Sequence, residues 1–125
     1  MRISLKRLVN SFKDAIKGIT YVFRNEQNFK LQILAGILAV FFMFLFQIKI
    51  YEKLIVILMI FLILILELVN TVVEKFIDLL KPRMEIHAGV IKDIMAGAVF
   101  ISSLSSLILA IIIFYPYIIS LFERL

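Results

Sequence analysis

Glu67, Asn70, Thr71, Glu74 and Asp78 follow one another at steps of three, one, three and four residues, the spacing that aligns side chains along one face of an α-helix. They end an otherwise unbroken apolar run, Leu54 to Leu66. A carboxylate at bilayer depth costs about 2.5–3.5 kcal/mol on insertion scales, so these groups need partners, a metal or water. Lys92 and Asp93 stand just before the next apolar run, and Asn25, Glu26 and Asn28 just before the first. Carboxylates from separate segments can hold Mg²⁺ while a lysine neutralises phosphate, the combination phosphoryl transfer requires. Singly, each has a plainer role. Lys92 can be a snorkelling anchor, Asp93 a first-turn residue favoured by the helix dipole, and the acidic face helix glue with an interfacial end. Only their convergence argues for chemistry. His87 has no second His or Cys nearby, and the chain contains no cysteine, so zinc is not expected. The phosphate-loop, dinucleotide, zinc-protease and nucleophile-elbow motifs are absent, so a nucleotide site here is of an unusual kind.

The elements that must position these residues follow from composition. The chain is 63% hydrophobic with a mean hydropathy of +1.08, too apolar for a soluble domain. The fold class expected is all-α and membrane-embedded, one domain over residues 1–125 with an N-terminal surface helix and three spans. In residues 1–30, Leu5, Leu8, Val9, Phe12, Ile16, Ile19 and Phe23 recur at three and four residue steps among Lys6, Arg7, Lys13 and Lys17. That pattern is an amphipathic helix lying on an anionic leaflet, with Ser4 or Asn10 as its cap. It lacks the apolar core of a signal peptide and is expected to remain in the mature chain. The spans expected are 31–49, 54–80 and 92–119, with Lys49 to Lys53 as a polar turn and Pro82 stopping the second. Between Tyr51 and Lys81 there is no glycine or proline, so the second is one helix of roughly 30 residues, about 45 Å, longer than a ~30 Å hydrocarbon core. Ala35, Gly36 and Ala39 in the first span, and Ala98, Ser102 and Ser106 in the third, form small-residue stripes for close helix approach. Tyr115 and Tyr117 read as an interfacial aromatic belt.

Of the fourteen lysines and arginines, only Lys49, Lys53 and Arg124 fall on the side opposite the N-terminus. The positive-inside rule therefore puts the N-terminus and the 75–93 connection in the cytoplasm, with Glu26, Glu74, Asp78, Lys92 and Asp93 at that interface. The net charge of +5 is explained by topology, and no nucleic-acid partner is expected.

The string E-L-V-N-T-V-V-E-K-F-I-D from Glu67 to Asp78, followed by K-D-I-M-A-G-A-V from Lys92 to Val99, resembles the small prokaryotic diacylglycerol kinase family, which includes undecaprenol kinases. R-N-E-Q-N-F-K from Arg24 to Lys30 and F-K-D-A-I-K-G from Phe12 to Gly18 resemble that family's surface helix and first turn. The resemblance covers nearly the whole chain. It implies a homotrimer in the cell membrane with active sites shared between neighbours, transferring phosphate from Mg²⁺-bound ATP to a lipid alcohol, undecaprenol or diacylglycerol. It implies that Glu67 is the general base and Asn70 orients it. Glu26 and Glu74 hold the metal, while Lys92, Asp93 and Arg7 contact the nucleotide. Asn28 and Gln32 border the lipid. A lipid hydroxyl anchored by its tail arrives already oriented, which suits a base at the depth of Glu67.

Two positions depart from the family pattern: Glu85 stands where relatives often have a histidine, and Asp14 where an aromatic is common. The tryptophan-free spans look more like the prenol-kinase branch. Two other readings compete. A proton- or cation-coupled transporter needs acidic residues through the full depth of the membrane, which residues 54–66 do not offer; a noncatalytic anchor subunit needs no convergence of Glu26, Glu74 and Lys92.

Overall fold

The computed structural model describes residues 2–80, 83 and 85–125, with nothing said of the Glu85 side chain. Among them the fold is all-helical: α1 (Leu5–Asn25), α2 (Gln27–Leu45), α3 (Ile50–Leu80) and α4 (Glu85–Glu123). The last three are long and apolar enough to cross a membrane, and this is a membrane protein.

Ser4 starts α1, its hydroxyl accepting from the Arg7 N–H at 3.5 Å, which satisfies one of the orphan donors of a helix start. The segment expected to run through residue 30 is broken earlier. Glu26 adopts an extended conformation, φ −111° and ψ 114°, between α1 and α2. It nevertheless donates its N–H to the Val22 carbonyl at 2.8 Å and accepts from the Lys30 N–H at 3.4 Å. The backbone thus changes direction over one residue without abandoning its hydrogen bonds. α2 therefore begins at Gln27 rather than at residue 31, and Asn28 and Gln32 are both helical.

α2 stops at a turn in which Gln47 has φ +49°, the left-handed region that L side chains enter at a cost. Four residues, Phe46 to Lys49, separate α2 from α3. α3 is 31 residues long, about 46 Å at 1.5 Å per residue, so one end must extend beyond a ~30 Å hydrocarbon core. The expected stop at Pro82 lies outside the described residues. α4 begins at Glu85, not at Lys92, and runs 39 residues through Pro116. His87, Lys92 and Asp93 are therefore helical residues rather than parts of a connecting loop. Pro116 has no N–H to give the Ile112 carbonyl, a local loss.

α3 packs against each of the other three helices. Its antiparallel register with α4 is marked at one end by Asp78 with Lys92 and at the other by Glu52 with Tyr117. Its register with α2 is marked by Glu67 with Gln32 and by the close approach of Gly36 to Ile60. At the end away from Glu67, Met43, Ile48, Val56, Ile113 and Phe114 form a buried apolar cluster. Phe42 and Phe46 of the α2 end set their rings 6.4 and 6.3 Å from that of Phe114, within the range of favourable aromatic pairs. The Tyr117 hydroxyl donates to Glu52 Oε1 at 3.3 Å, and Glu52 is only 9% exposed. Tyr117, read from sequence as an interfacial aromatic, has a hydrogen-bonding partner inside the bundle.

A Cβ added at Gly36 would stand 3.1 Å from Ile60 Cγ2. Gly36→Leu is expected to destabilise the detergent-solubilised protein against SDS unfolding by roughly 1–3 kcal/mol, the range for overpacking. An unchanged unfolding midpoint would show that α2 and α3 do not meet there.

Candidate functional site

Among the described residues Glu67 is the most deeply enclosed side chain, 1% exposed. Its position is set by three elements of sequence: the apolar run before it keeps α3 helical, Thr71 one turn later returns its hydroxyl to the Glu67 carbonyl at 3.0 Å, and Gln32 of α2 donates Nε2 to Glu67 Oε2 at 3.2 Å. The amide partner matters because an unpaired buried carboxylate is costly in an apolar medium. Gln32 Oε1 is itself buried and finds no partner among the described residues, so the amide has an acceptor in reserve.

One turn beyond, Asn70 donates Nδ2 to Glu74 Oε1 at 3.3 Å. Glu26, at the joint of α1 and α2, is partly buried six residues before Gln32. The Lys75 ammonium lies 5.6 Å from the centre of the Tyr21 ring, a cation–π contact that ties α1 to α3 beside these carboxylates. It was not singled out from the sequence, because its spacing along α3 carries no motif. Another turn on, Lys92 pairs with Asp78 at 2.8 Å.

The sequence candidates fall into three groups. Gln32, Glu67, Asn70, Glu74 and Glu26 are brought together at one end of the α2–α3 pair. Lys92 is engaged with Asp78 one turn above Glu74, with Asp93 and Asn28 exposed nearby along their helices. Arg7 stands apart, exposed in the first turn of α1, nineteen residues before Glu26 and so about 28 Å from it along the helix. Within one chain it does not join the others. The Gln32–Glu67 bond itself was not foreseen, since residues 35 positions apart show no mutual spacing signal.

Among the described residues no group of three or more His, Cys, Asp or Glu side chains could hold a metal ion by itself. Mg²⁺ is commonly held by one or two carboxylates together with substrate phosphates and water. A fully caged metal is therefore not what the described residues fit.

The family described as prokaryotic diacylglycerol kinase matches residues 13–114. The chain is 35% identical over 115 residues to the undecaprenol kinase of Bacillus subtilis (strain 168), covering 92% of this chain and 94% of that one. It is 29% identical over 115 residues to the diacylglycerol kinase of Synechocystis sp. (strain ATCC 27184 / PCC 6803 / Kazusa), covering 91% of this chain and 66% of that one. No solved structure matches it.

Gln32→Leu strands the Glu67 carboxylate, and is expected to lower stability toward SDS by about 1–3 kcal/mol. Removing both partners in Gln32→Leu/Glu67→Leu should recover most of that loss, because replacing a bonded pair by apolar groups is nearly neutral. Equal losses in the single and double variants would show that the pair is not coupled.

Proposed function

The chain belongs to the prokaryotic diacylglycerol kinase family and is a lipid kinase, and from that premise we propose that it moves the γ-phosphoryl group of Mg²⁺-bound ATP to undecaprenol at the cytoplasmic face of the cell membrane. The observation that carries this reading is the buried Glu67, held by Gln32, with the Asn70–Glu74 pair following on the same helix. The preference for undecaprenol over diacylglycerol is supported by the 35% identity across nearly all of an undecaprenol kinase.

In this proposal the lipid hydroxyl lies beside Glu67, which accepts its proton as the alcohol oxygen attacks the γ-phosphorus. The bond from that phosphorus to the bridging oxygen breaks, and ADP leaves. The membrane supplies much of the orientation, since a tail fixed in the bilayer holds the hydroxyl at one depth. Asn70 keeps Glu74 in place through its amide. Bound through Glu26 and Glu74, Mg²⁺ would neutralise phosphate charge. Lys92 and Asp93 contact the nucleotide, which requires Lys92 to exchange part of its pairing with Asp78 for phosphate. Asn28 borders the lipid.

Arg7 reaches a nucleotide only if α1 approaches a neighbouring copy, which agrees with a homotrimer whose sites are shared. α1 lies along the cytoplasmic surface with Leu5, Leu8, Phe12 and Ile16 toward lipid; all four are exposed within the chain, and basic side chains alternate with them as anionic headgroups favour. The distribution of lysine and arginine supports a cytoplasmic N-terminus. Transport is not favoured, because no polar residue lies between Leu54 and Leu66 to join Glu67 to the distant Glu52.

Glu67→Gln is expected to lower phosphate transfer by about 10²–10⁴, the usual worth of a general base, while ATP still binds. Glu74→Gln should instead raise the Mg²⁺ concentration needed for half-maximal nucleotide binding. Labelled transfer and Mg²⁺-dependent ATP binding, measured on both variants, check the split. Near-normal turnover by Glu67→Gln would remove it from the role of base.

A further inference from the structure

Tyr21 stands where an amphipathic surface helix does not need an aromatic. Leu5, Leu8, Phe12, Ile16, Ile19 and Phe23 form the apolar stripe of α1, and at about 100° per residue Tyr21 falls on the opposite, polar face with Asp14 and Lys17. Its ring is met there from α3. The Lys75 ammonium lies 5.6 Å from the ring centre, within the range of a cation–π contact. Residues 2–19 are all exposed, whereas Val22 is buried, so α1 is a helix of 21 residues held to the bundle at its C-terminal end.

That end adjoins Glu26, whose extended backbone, φ −111° and ψ 114°, is the single residue between α1 and α2. The same two dihedrals govern the direction of α1 relative to α2 and the placement of the Glu26 side chain against both helices. α2 is tied to α3 by Gln32 and Glu67, and Lys30 lies 5.9 Å from the centre of the Phe23 ring across the joint itself. With those contacts alone α1 keeps freedom to swing; a turn of about 10° at Glu26 would move Arg7 by roughly 5 Å on an arm of ~28 Å. Tying α1 to α3 as well, through Tyr21 and Lys75, closes a triangle of three helices and removes that freedom. Lys75 directly follows Glu74, so the tie anchors α1 to the part of α3 that carries the second carboxylate.

We propose that Tyr21 and Lys75 are positioning residues whose contact sets the angle of α1 at the Glu26 joint and thereby holds Glu26 in place relative to Glu74. This rests on the lipid-kinase reading, with Glu26 and Glu74 as the carboxylates toward Mg²⁺, and adds to it the device that aims Glu26. Neither residue touches substrate; both act through Glu26. A cation–π contact between exposed side chains is individually weak, so its effect is read at the joint and in metal-dependent binding rather than in the stability of the bundle.

The test uses the full-length protein in detergent. Lys75→Met and Tyr21→Leu are each expected to raise the Mg²⁺ concentration needed for half-maximal ATP binding about fivefold, with the KM for undecaprenol changed by less than about twofold. Because both remove one contact, the double variant should be no worse than either single one. Lys75→Arg, which keeps a cation able to stack on the ring, should stay near wild type. The chain has no cysteine, so spin labels on Ser11→Cys in α1 and Leu79→Cys in α3, diluted into unlabelled protein, report the distance between these helices within one chain. The distribution of that distance should broaden in Lys75→Met. An unchanged distribution, or additive losses in the double variant, would overturn the proposal. So would weakened ATP binding in Lys75→Met but not in Tyr21→Leu, since Lys75 would then be a nucleotide contact. Wild-type protein that transfers no phosphate would sink the kinase reading, whereas normal Mg²⁺ dependence in both variants of a protein that does transfer it would sink this proposal alone.

Discussion

The hydrogen bond from Gln32 to Glu67 is the contact on which the remaining architecture depends. A carboxylate enclosed among apolar helices has no water to fall back on, and leaving it unpaired would cost more than most single contacts in the fold return. The four-residue connection makes α2 and α3 antiparallel, donating one amide N–H to Glu67 fixes their register, and in that register Gly36 meets Ile60. Where lipid tails are as apolar as leucine, association of helices relies on such close approach and on polar contacts rather than on hydrophobic burial. The α3–α4 pairing follows the same rule, with Asp78–Lys92 at one end and Glu52–Tyr117 at the other.

The two ends of the bundle differ in kind. Polar side chains near the Glu67 end come from three segments: Gln32 from α2, Glu74 about two turns along α3, and Glu26 from the single extended residue between α1 and α2. At the opposite end, Phe42, Phe46, Phe114 and Tyr117 surround the α2–α3 turn with rings. Glu52 Oε2 is buried there without a partner among the described residues, so the Tyr117 donor is the contact that offsets its burial. One end is arranged to hold charges near one another and the other to hold the helices together, which is the division of labour a membrane-embedded transferase needs.

What could be read from the amino-acid sequence follows from period and length. The three–four spacing from Glu67 to Asp78 is a property of one helix, and the unbroken run through α3 has no glycine or proline to interrupt it. Contacts between helices were less accessible. Lys92 and Asp93 look like a boundary because they are charged, yet α4 starts seven residues earlier and carries them within it; helix-forming residues and the pairing with Asp78 outweigh the change in polarity. The break at Glu26 has no proline or glycine to announce it. Glu52 reads as part of a polar turn and Tyr117 as an interfacial aromatic, and only the α3–α4 register turns them into partners. Arg7 is the reverse case, grouped with the site by family resemblance while the helix carries it far away.

The deciding measurement is transfer of labelled γ-phosphate from ATP by the purified wild-type protein, with Mg²⁺, to undecaprenol and to diacylglycerol in parallel mixed micelles. Labelled undecaprenyl phosphate is expected, made faster than labelled phosphatidic acid and not at all without Mg²⁺. No labelled lipid from either alcohol, with the protein folded and binding ATP, would contradict phosphoryl transfer at Glu67.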